Sequence, residues 1–154
     1  MKHFRLIPGL LLITLTAVAQ SSSTVRYVNP SDVFHPPGYS PAVVVNGGTV
    51  VYVSGQVGLN IHGDLVGKDD FRAQATQVFE NLKAVLAAAG TTPAHLIKLN
   101  YFVVGLDDSK LQALREIRDR YIDKSQPPAS TLAGVQTLFR KDVQIEIEAI
   151  ASVP

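Results

Sequence analysis

The sequence predicts an α+β fold of one domain, and three patterns indicate it. Residues 42–45 and 49–57 are rich in β-branched residues, residues 71–89 repeat apolar residues at helical spacing, and residues 143–151 alternate apolar and polar side chains. A chain of 154 residues with 46% hydrophobic content can bury one core but is short for two. The predicted order is strand, hairpin, helix, strand, helix, strand, strand, with two helices packed on one face of a mixed sheet.

The first 19 residues have the organisation of a secretory signal peptide. Lys2 and Arg5 precede an apolar run at 10–18, which ends in Ala17-Val18-Ala19 before Gln20. The run is about half as long as a membrane-spanning helix requires. We therefore predict cleavage after residue 19, export to a bacterial periplasm or the medium, and no membrane attachment of the mature protein.

The chain after the signal peptide divides into a short leader and one domain. Residues 20–30 are predicted to hold a polar leader and a first strand at 25–28, and residues 31–154 the domain itself. The prolines in residues 29–41 predict a loop. Asn46-Gly47-Gly48 then suits the tight turn of a hairpin between the strands at 42–45 and 49–57.

Two helices are predicted from capping residues and apolar stripes. Asp69 or Asp70 can cap the first helix, and Gly90 can end it after residue 89. Its apolar stripe is Phe71, Ala75, Val78, Phe79, Leu82, Val85, Leu86 and Ala89. The second is predicted from Asp107-Asp108 to the stop at Pro127-Pro128, with a stripe of Leu111, Leu114, Ile117 and Tyr121.

The charged residues of the second helix predict a solvated surface. Its basic residues alternate with acidic ones, and Glu116 with Arg120 has the spacing of an i,i+4 pair. The basic residues are Arg115, Arg118, Arg120 and Lys124. Without the signal peptide the chain has 12 basic and 13 acidic residues, so the charge balance predicts no nucleic-acid partner. The chain also lacks cysteine, which excludes thiol chemistry.

The remaining strands predict a sheet with one uncovered face. Strands are expected at 97–104, 131–136 and 143–151, and the last places Val143, Ile145 and Ile147 on one side and polar residues on the other. Since both helices cover the same face, the other face must meet another partner. The topology therefore predicts a homo-oligomer.

No pattern in the sequence indicates a metal or a common cofactor. His35, His62 and His95 lie far apart without ligand spacing. The sequence has no Ser-His-Asp constellation, phosphate-binding loop or dinucleotide turn.

Four motifs together resemble the Rid (YjgF) family. They are Pro37-Gly38-Tyr39-Ser40-Pro41-Ala42, Tyr52-Val53-Ser54-Gly55-Gln56-Val57, the helical segment at 79–90, and Ile145-Glu146-Ile147-Glu148-Ala149-Ile150-Ala151. The resemblance implies a chorismate-mutase-like fold and a homotrimer with clefts between subunits. It also implies hydrolysis of reactive 2-imino acids, or their enamine tautomers, to 2-oxo acids and ammonia, with no cofactor or metal.

The resemblance also implies which residues bind a small-molecule ligand. Tyr39 would border the cleft, Ser54, Gly55 and Gln56 would present backbone and side-chain groups, and Glu146 would position the attacking water. A carboxylate suits that role because hydrolysis of a C=N bond requires an acid/base group beside the water. Structural readings stay open: Tyr39 can wedge the proline-rich loop, and Glu146 can face solvent or a neighbouring subunit.

The chain departs from the family pattern at Ser130. RidA-type members carry an arginine after Pro-Ala that binds the substrate carboxylate, whereas here Pro128-Ala129 lead into Ser130 and Thr131. Losing a charge-assisted hydrogen bond weakens binding by roughly ten- to a hundredfold. Arg140 is one candidate to replace the cation.

Two functions follow as hypotheses: an imine or enamine deaminase acting on C–N bonds, and a non-catalytic homotrimer that binds small metabolites. Ribonuclease and chorismate mutase activities are disfavoured because the charge balance and the motif positions lack the cations that such substrates require.

Overall fold

The computed structural model describes residues 24–34 and 38–154. The predicted signal peptide, the start of the leader and His35 lie outside the described residues. The elements are β1 (Thr24–Val28), β2 (Ala42–Asn46), β3 (Thr49–Val57), α1 (Phe71–Ala88), β4 (Leu96–Val104), α2 (Asp108–Arg118), β5 (Ala129–Val135) and β6 (Ile145–Val153). A short 3-10 turn, Pro93–His95, leads from α1 into β4.

The main sheet has four strands in the order β3-β6-β4-β5. The β4–β5 pair is parallel, and the β3–β6 and β4–β6 pairs are antiparallel, so the sheet is mixed. Both helices contribute to one core against this sheet, including Phe79 and Leu86 of α1 and Leu114 and Ile117 of α2. The predicted α+β architecture with two helices on one face is confirmed. We call the other side of this sheet the open face.

Helix α1 matches the prediction at both ends. The Asp70 side chain accepts a hydrogen bond from the backbone N–H of Ala73 at 3.0 Å, which caps the first turn. Gly90 has a φ of +78°, a left-handed conformation that glycine adopts without steric cost. Most of the predicted stripe is buried, whereas Val85 remains 36% exposed.

The predicted hairpin between β2 and β3 is wrong. Gly47 and Gly48 both have positive φ, the conformation that the predicted turn requires. However, β2 pairs with β1 in a separate two-stranded sheet, and β3 pairs with β6. The pairing with β6 runs along most of β3 and lets Val53 be buried in the core. The turn residues predicted the positive φ angles, but long-range pairing chose the strand partners.

Helix α2 begins where predicted but ends earlier than predicted, at Arg118. At its start, the Asp107 side chain accepts a hydrogen bond from the Lys110 N–H at 2.8 Å. The chain leaves the helix through tighter i−3 bonds, such as Tyr121 N to Arg118 O at 2.9 Å. This path buries Ile122 and stacks Tyr121 on Phe79 with ring centroids 4.9 Å apart. The core contacts therefore end the helix before the prolines.

The predicted Glu116–Arg120 pair is replaced by a contact between helices. Glu116 accepts a hydrogen bond from Arg72 of α1 at 2.7 Å instead. Both side chains are exposed, so this pair contributes little to stability.

Within residues 24–34 and 38–154, no helix is both long and apolar enough to cross a bilayer.

Candidate active site

The two central strands, β6 and β4, place apolar side chains on the helix-covered face and polar side chains on the open face. On β6, Ile145, Ile147 and Ala149 are buried beneath the helices, whereas Glu146 and Glu148 alternate with them on the open face. Asn100 of β4 lies opposite Glu148 and donates a hydrogen bond to it at 3.2 Å. The predicted alternation of the last strand thus places both carboxylates on the uncovered side of the sheet.

A β-bulge in β3 faces Glu146. Val53 pairs with Ala149 and Gln56 with Ile147, so Ser54 and Gly55 together stand opposite a single residue, Glu148. A Cβ atom at Gly55 would overlap the carboxylate of Glu146. Gly55 is therefore needed here for close approach to Glu146, whereas Ser54 lies beside Glu148.

The surroundings of Glu146 favour its protonated form. Partial burial raises the pKa of the Glu146 carboxyl, and the negative charge of Glu148 raises it further. A carboxyl whose pKa is raised from its ordinary value exchanges protons closer to neutral pH. It is thereby better suited to general acid/base catalysis than an ordinary surface glutamate.

Gln56 is directed away from this group. Its pairing with Ile147 places its side chain on the helix-covered side, and its Nε2 donates to the backbone oxygen of Ser54 at 3.1 Å. Gln56 thus fixes the backbone of the bulge rather than presenting its amide to the open face.

Ser130 and Thr131 lie on opposite faces of β5. Thr131 pairs with Asn100 on the open face, where its hydroxyl accepts a hydrogen bond from Lys98 Nζ at 2.7 Å. Ser130 pairs with the buried Leu99 and lies on the helix-covered side, beside α2. The structure therefore separates the two hydroxyls that sequence reasoning grouped at one ligand.

Ser130 is also distant from Glu146 of the same chain. Glu146 pairs with Phe102, three residues along β4 from the partner of Ser130, and β4 separates β6 from β5. With strands ~4.8 Å apart and a rise of ~3.3 Å per residue, their Cα atoms are about 14 Å apart. Their side chains also lie on opposite faces, so within one chain they do not contact the same ligand.

Tyr39 is held next to Ser130 by the loop that contains it. The Ser40 hydroxyl donates to Pro127 O at 2.7 Å, and the Ser40 N–H donates to Pro128 O at 3.1 Å. These bonds fasten the loop to the start of β5 and leave Tyr39 39% exposed. Tyr39 and Ser130 line one cavity of 250 Å³.

Arg140 is engaged elsewhere. It forms a two-point contact with Asp142, with Nε to Oδ1 at 3.0 Å and Nη2 to Oδ2 at 2.7 Å. This ion pair raises the pKa of Arg140 and lowers the pKa of Asp142. The structure thus places Arg140 in its own loop and not beside Ser130.

Sequence reasoning missed two arginines of α2. Arg115 and Arg118 were predicted to lie on a solvated surface, but both line the cavity that contains Tyr39 and Ser130. The Arg118 side chain is only 14% exposed. The sequence held one signal: Arg115 follows Leu111 by four residues and Arg118 follows Leu114 by four, so each arginine shares the side of the helix on which its leucine lies.

Metal ligands are not grouped in the described part of the chain. In residues 24–34 and 38–154, no three histidine or acidic side chains lie close enough together to hold an ion.

Known proteins share this fold and sequence. A family model described as "Endoribonuclease L-PSP" matches residues 35–153. The chain is 34% identical over 115 residues to the 2-iminobutanoate/2-iminopropanoate deaminase of Dermatophagoides farinae, covering 75% of this chain and 85% of that protein.

Two crystal structures show the same fold. The first is the Rid-family protein YyfB of Yersinia pestis, of unknown function, with a TM-score of 0.75, 36% identity and coverage of 83% of this chain and 98% of that one. The second is RidA from an Antarctic Psychrobacter, with a TM-score of 0.60, 30% identity and coverage of 80% and 92%. The match over nearly the whole described domain, together with the motifs at Tyr39, Gly55 and Glu146, shows that this chain belongs to the Rid (YjgF, endoribonuclease L-PSP) family.

Proposed function

We propose that this protein is an enamine/imine deaminase that hydrolyses reactive 2-imino acids or related C=N compounds. The observation that carries the proposal is the carboxyl of Glu146, held against the Gly55 backbone on the open face with a raised pKa. The deaminase name of the Dermatophagoides relative supports the same reaction class.

The reaction requires water, a base and an acid. Ionised Glu146 accepts a proton from water as the water oxygen forms a bond to the carbon of the protonated imine. The resulting carbinolamine carries one hydroxyl and one amine. Glu146 returns the proton to the amine nitrogen. The C–N bond then breaks and ammonia leaves, while the hydroxyl gives its proton to Glu146 and becomes the carbonyl; Glu146 finally releases this proton to solvent. One water is consumed, and no oxidant, metal or cofactor enters the balance.

We further propose that the working unit is a homotrimer. Glu146 and Ser130 of one chain lie on opposite faces of the sheet, so one ligand can meet both only between two copies. The open face supports such an assembly because it displays Tyr52 at 78% exposure and Val50 at 38%. Light scattering coupled to size-exclusion chromatography tests this. A mass three times that of the purified chain supports it, which is about 50 kDa where residues 1–19 are retained, and a monomer refutes it.

The test of the activity is hydrolysis of freshly generated 2-iminobutanoate by the purified protein, followed as 2-oxobutanoate or ammonia above the uncatalysed rate. Glu146→Gln keeps the shape of the side chain and removes its basicity, so we expect a loss of roughly 10²–10⁴-fold. The control is Glu116→Gln on α2, an exposed carboxylate that lies on the helix-covered side and is expected to leave the rate unchanged.

Each outcome separates the deaminase from the alternative. Turnover that falls in Glu146→Gln and persists in Glu116→Gln supports the proposal. An inert parent protein refutes it for this substrate and favours the alternative, a non-catalytic trimer that binds small metabolites. The observation behind that alternative is Ser130 in place of the arginine. If Ser130→Arg gains turnover, the missing arginine accounts for the inactivity.

We also propose that the chain is exported, on the basis of the charged, apolar and small-residue pattern at 1–19. Mass spectrometry of the protein from the producing cell's periplasm or medium tests this. An N-terminus at Gln20 supports it, and an intact residue 1 in the cytoplasm refutes it.

A further inference from the structure

The connection between β2 and β3 contains an asparagine followed by two glycines. Asn46 is the last residue of β2, and Gly47 and Gly48 lead into β3 at Thr49. Asn46 and both glycines are exposed, and the glycines have positive φ, +72° and +78°. Glycine has no Cβ, so no side chain shields the backbone nitrogen of Gly47 from the Asn46 amide.

Neither of these two groups is held by a hydrogen bond within residues 24–34 and 38–154. In this part of the chain the Gly47 N–H donates to no backbone carbonyl. The Asn46 side chain, unlike those of three other asparagines, also forms no hydrogen bond there. No such bond therefore has to break before the Gly47 nitrogen can approach the Asn46 side-chain carbon.

The other four asparagines of the chain lack this combination. Asn29 precedes a proline, whose nitrogen has no proton to lose. Asn60 accepts two backbone N–H bonds at 2.9 and 3.0 Å through its Oδ1. Asn81 donates to two backbone carbonyls, and Asn100 donates to a carboxylate of the neighbouring strand. The last three also precede large side chains, an isoleucine, a leucine and a tyrosine.

We propose that Asn46 is a site of spontaneous deamidation, which converts its side-chain amide to a carboxylate. The Gly47 nitrogen loses its proton and forms a bond to Cγ of Asn46. The Cγ–Nδ2 bond breaks, and Nδ2 takes up a proton and leaves as ammonia. The product is a five-membered succinimide ring that joins the two residues.

Water then opens the ring at one of its two carbonyl carbons. Attack at Cγ restores the original main chain and gives aspartate. Attack at the main-chain carbonyl carbon gives isoaspartate, in which the main chain continues through Cβ and Cγ. One water is consumed and one ammonia released per chain, and no atom is oxidised or reduced. Each product carries a negative charge that Asn46 lacks.

The place of Asn46 in the fold confines the structural effect to one joint. Asn46 pairs with Thr24 at the end of the β1–β2 pair, and β2 pairs with no strand of the main sheet. Isoaspartate adds one methylene group to the main chain at this joint, so we expect the Thr24 pairing to be lost. The core beneath the four-stranded sheet does not depend on that pairing and should remain folded. The site is independent of the proposed hydrolysis.

The test is tandem mass spectrometry of the purified protein after storage at neutral and at mildly acidic pH. One tryptic peptide, 27–68, contains Asn29, Asn46 and Asn60, so two asparagines serve as internal controls. We expect a mass gain of about 1 Da that grows with time and is confined to Asn46. It should grow faster at neutral pH, because the reacting form of the Gly47 nitrogen is deprotonated. No gain at Asn46, or an equal gain at Asn60, would overturn the proposal.

Two glutamine variants assign the charge change to this residue. Anion-exchange chromatography should resolve a more acidic form of the stored parent that elutes with Asn46→Asp. Asn46→Gln keeps an amide but must close a larger ring, so the acidic form should not accumulate. Asn29→Gln changes another exposed asparagine and should leave its accumulation unchanged. An acidic form that still accumulates in Asn46→Gln would refute the assignment.

Two further measurements test the route and the role of the fold. Isoaspartyl methyltransferase with labelled S-adenosylmethionine should label the stored protein, and mass gain without any methyl transfer would refute the succinimide route. The rate at Asn46 is also compared between the folded protein and the protein in denaturing urea. We expect similar rates, because the connection is exposed and unrestrained. A rate about tenfold or more higher in urea would show that the fold protects Asn46 and would overturn the proposal.

Discussion

Adding a single methyl group at Gly55 tests whether the bulge holds Glu146 in place. In Gly55→Ala the new Cβ occupies the space of the Glu146 carboxylate and approaches its Cγ, which lies 2.9 Å from the added atom. Gly55 does not have a left-handed φ, so the substitution adds no backbone strain of that kind. The main consequence is displacement of the Glu146 side chain.

The magnitudes follow from that geometry. Forcing Glu146 from its rotamer costs about 0.5–1.5 kcal/mol, while alanine gains about 0.4–1 kcal/mol by restricting the unfolded chain. The free energy of unfolding of Gly55→Ala should therefore lie within ~1 kcal/mol of the parent. Hydrolysis of 2-iminobutanoate should fall about a hundredfold, because a displacement of ~1 Å at a reacting group has that effect.

A double-mutant cycle measured by urea unfolding isolates the contact. In a Glu146→Ala background the overlapping atoms are gone, so Gly55→Ala should raise the free energy of unfolding, giving a coupling of about 0.5–1.5 kcal/mol. Glu146→Gln is the matched control, because it keeps the overlapping atoms and should preserve the penalty. Equal effects of Gly55→Ala in the parent and Glu146→Ala backgrounds, or parent activity in Gly55→Ala, would refute the reasoning.

Three further predictions concern single positions. Glu148→Gln removes the charge that helps to raise the Glu146 pKa, so the rising limb of the rate against pH should move to lower pH, and an unmoved limb contradicts the coupling. The pKa of Glu146 is raised in the folded protein, so this group stabilises the fold most at pH values below its unfolded pKa. That contribution to the free energy of unfolding is lost as pH rises through the folded pKa. Urea unfolding at a series of pH values should therefore show a smaller loss of stability in Glu146→Gln than in the parent. The Gln74 side chain forms hydrogen bonds with three backbone groups, including one from Gln144 N to its Oε1 at 2.8 Å. Gln74→Leu leaves these groups unpaired and should lower the free energy of unfolding, measured in urea, by about 2–4 kcal/mol. Gln77→Leu is the control, because Gln77 lies on the same helix but does not form these bonds.

Much of the fold could be predicted because it depends on local patterns. The alternation of Ile145 and Ile147 with glutamates, the aspartate caps and the apolar stripe of α1 act over a few residues, and the structure confirms them. The β2–β3 hairpin was wrong because the glycine turn permits a reversal but does not choose partners. The early end of α2 was missed because burial of Ile122 and stacking of Tyr121 involve residues distant in sequence.

The sequence by itself determined the family, the α+β class and the residues that carry its motifs, since these are properties of residue order. Only the tertiary structure decided which of them share a site. Strand register placed Glu146 against Gly55, put Ser130 and Thr131 on opposite faces, and moved Arg118 from a predicted solvated surface into a cavity with Tyr101. The physical reason is that side-chain direction along a strand changes with every residue, so spatial neighbours depend on pairings that no local pattern specifies.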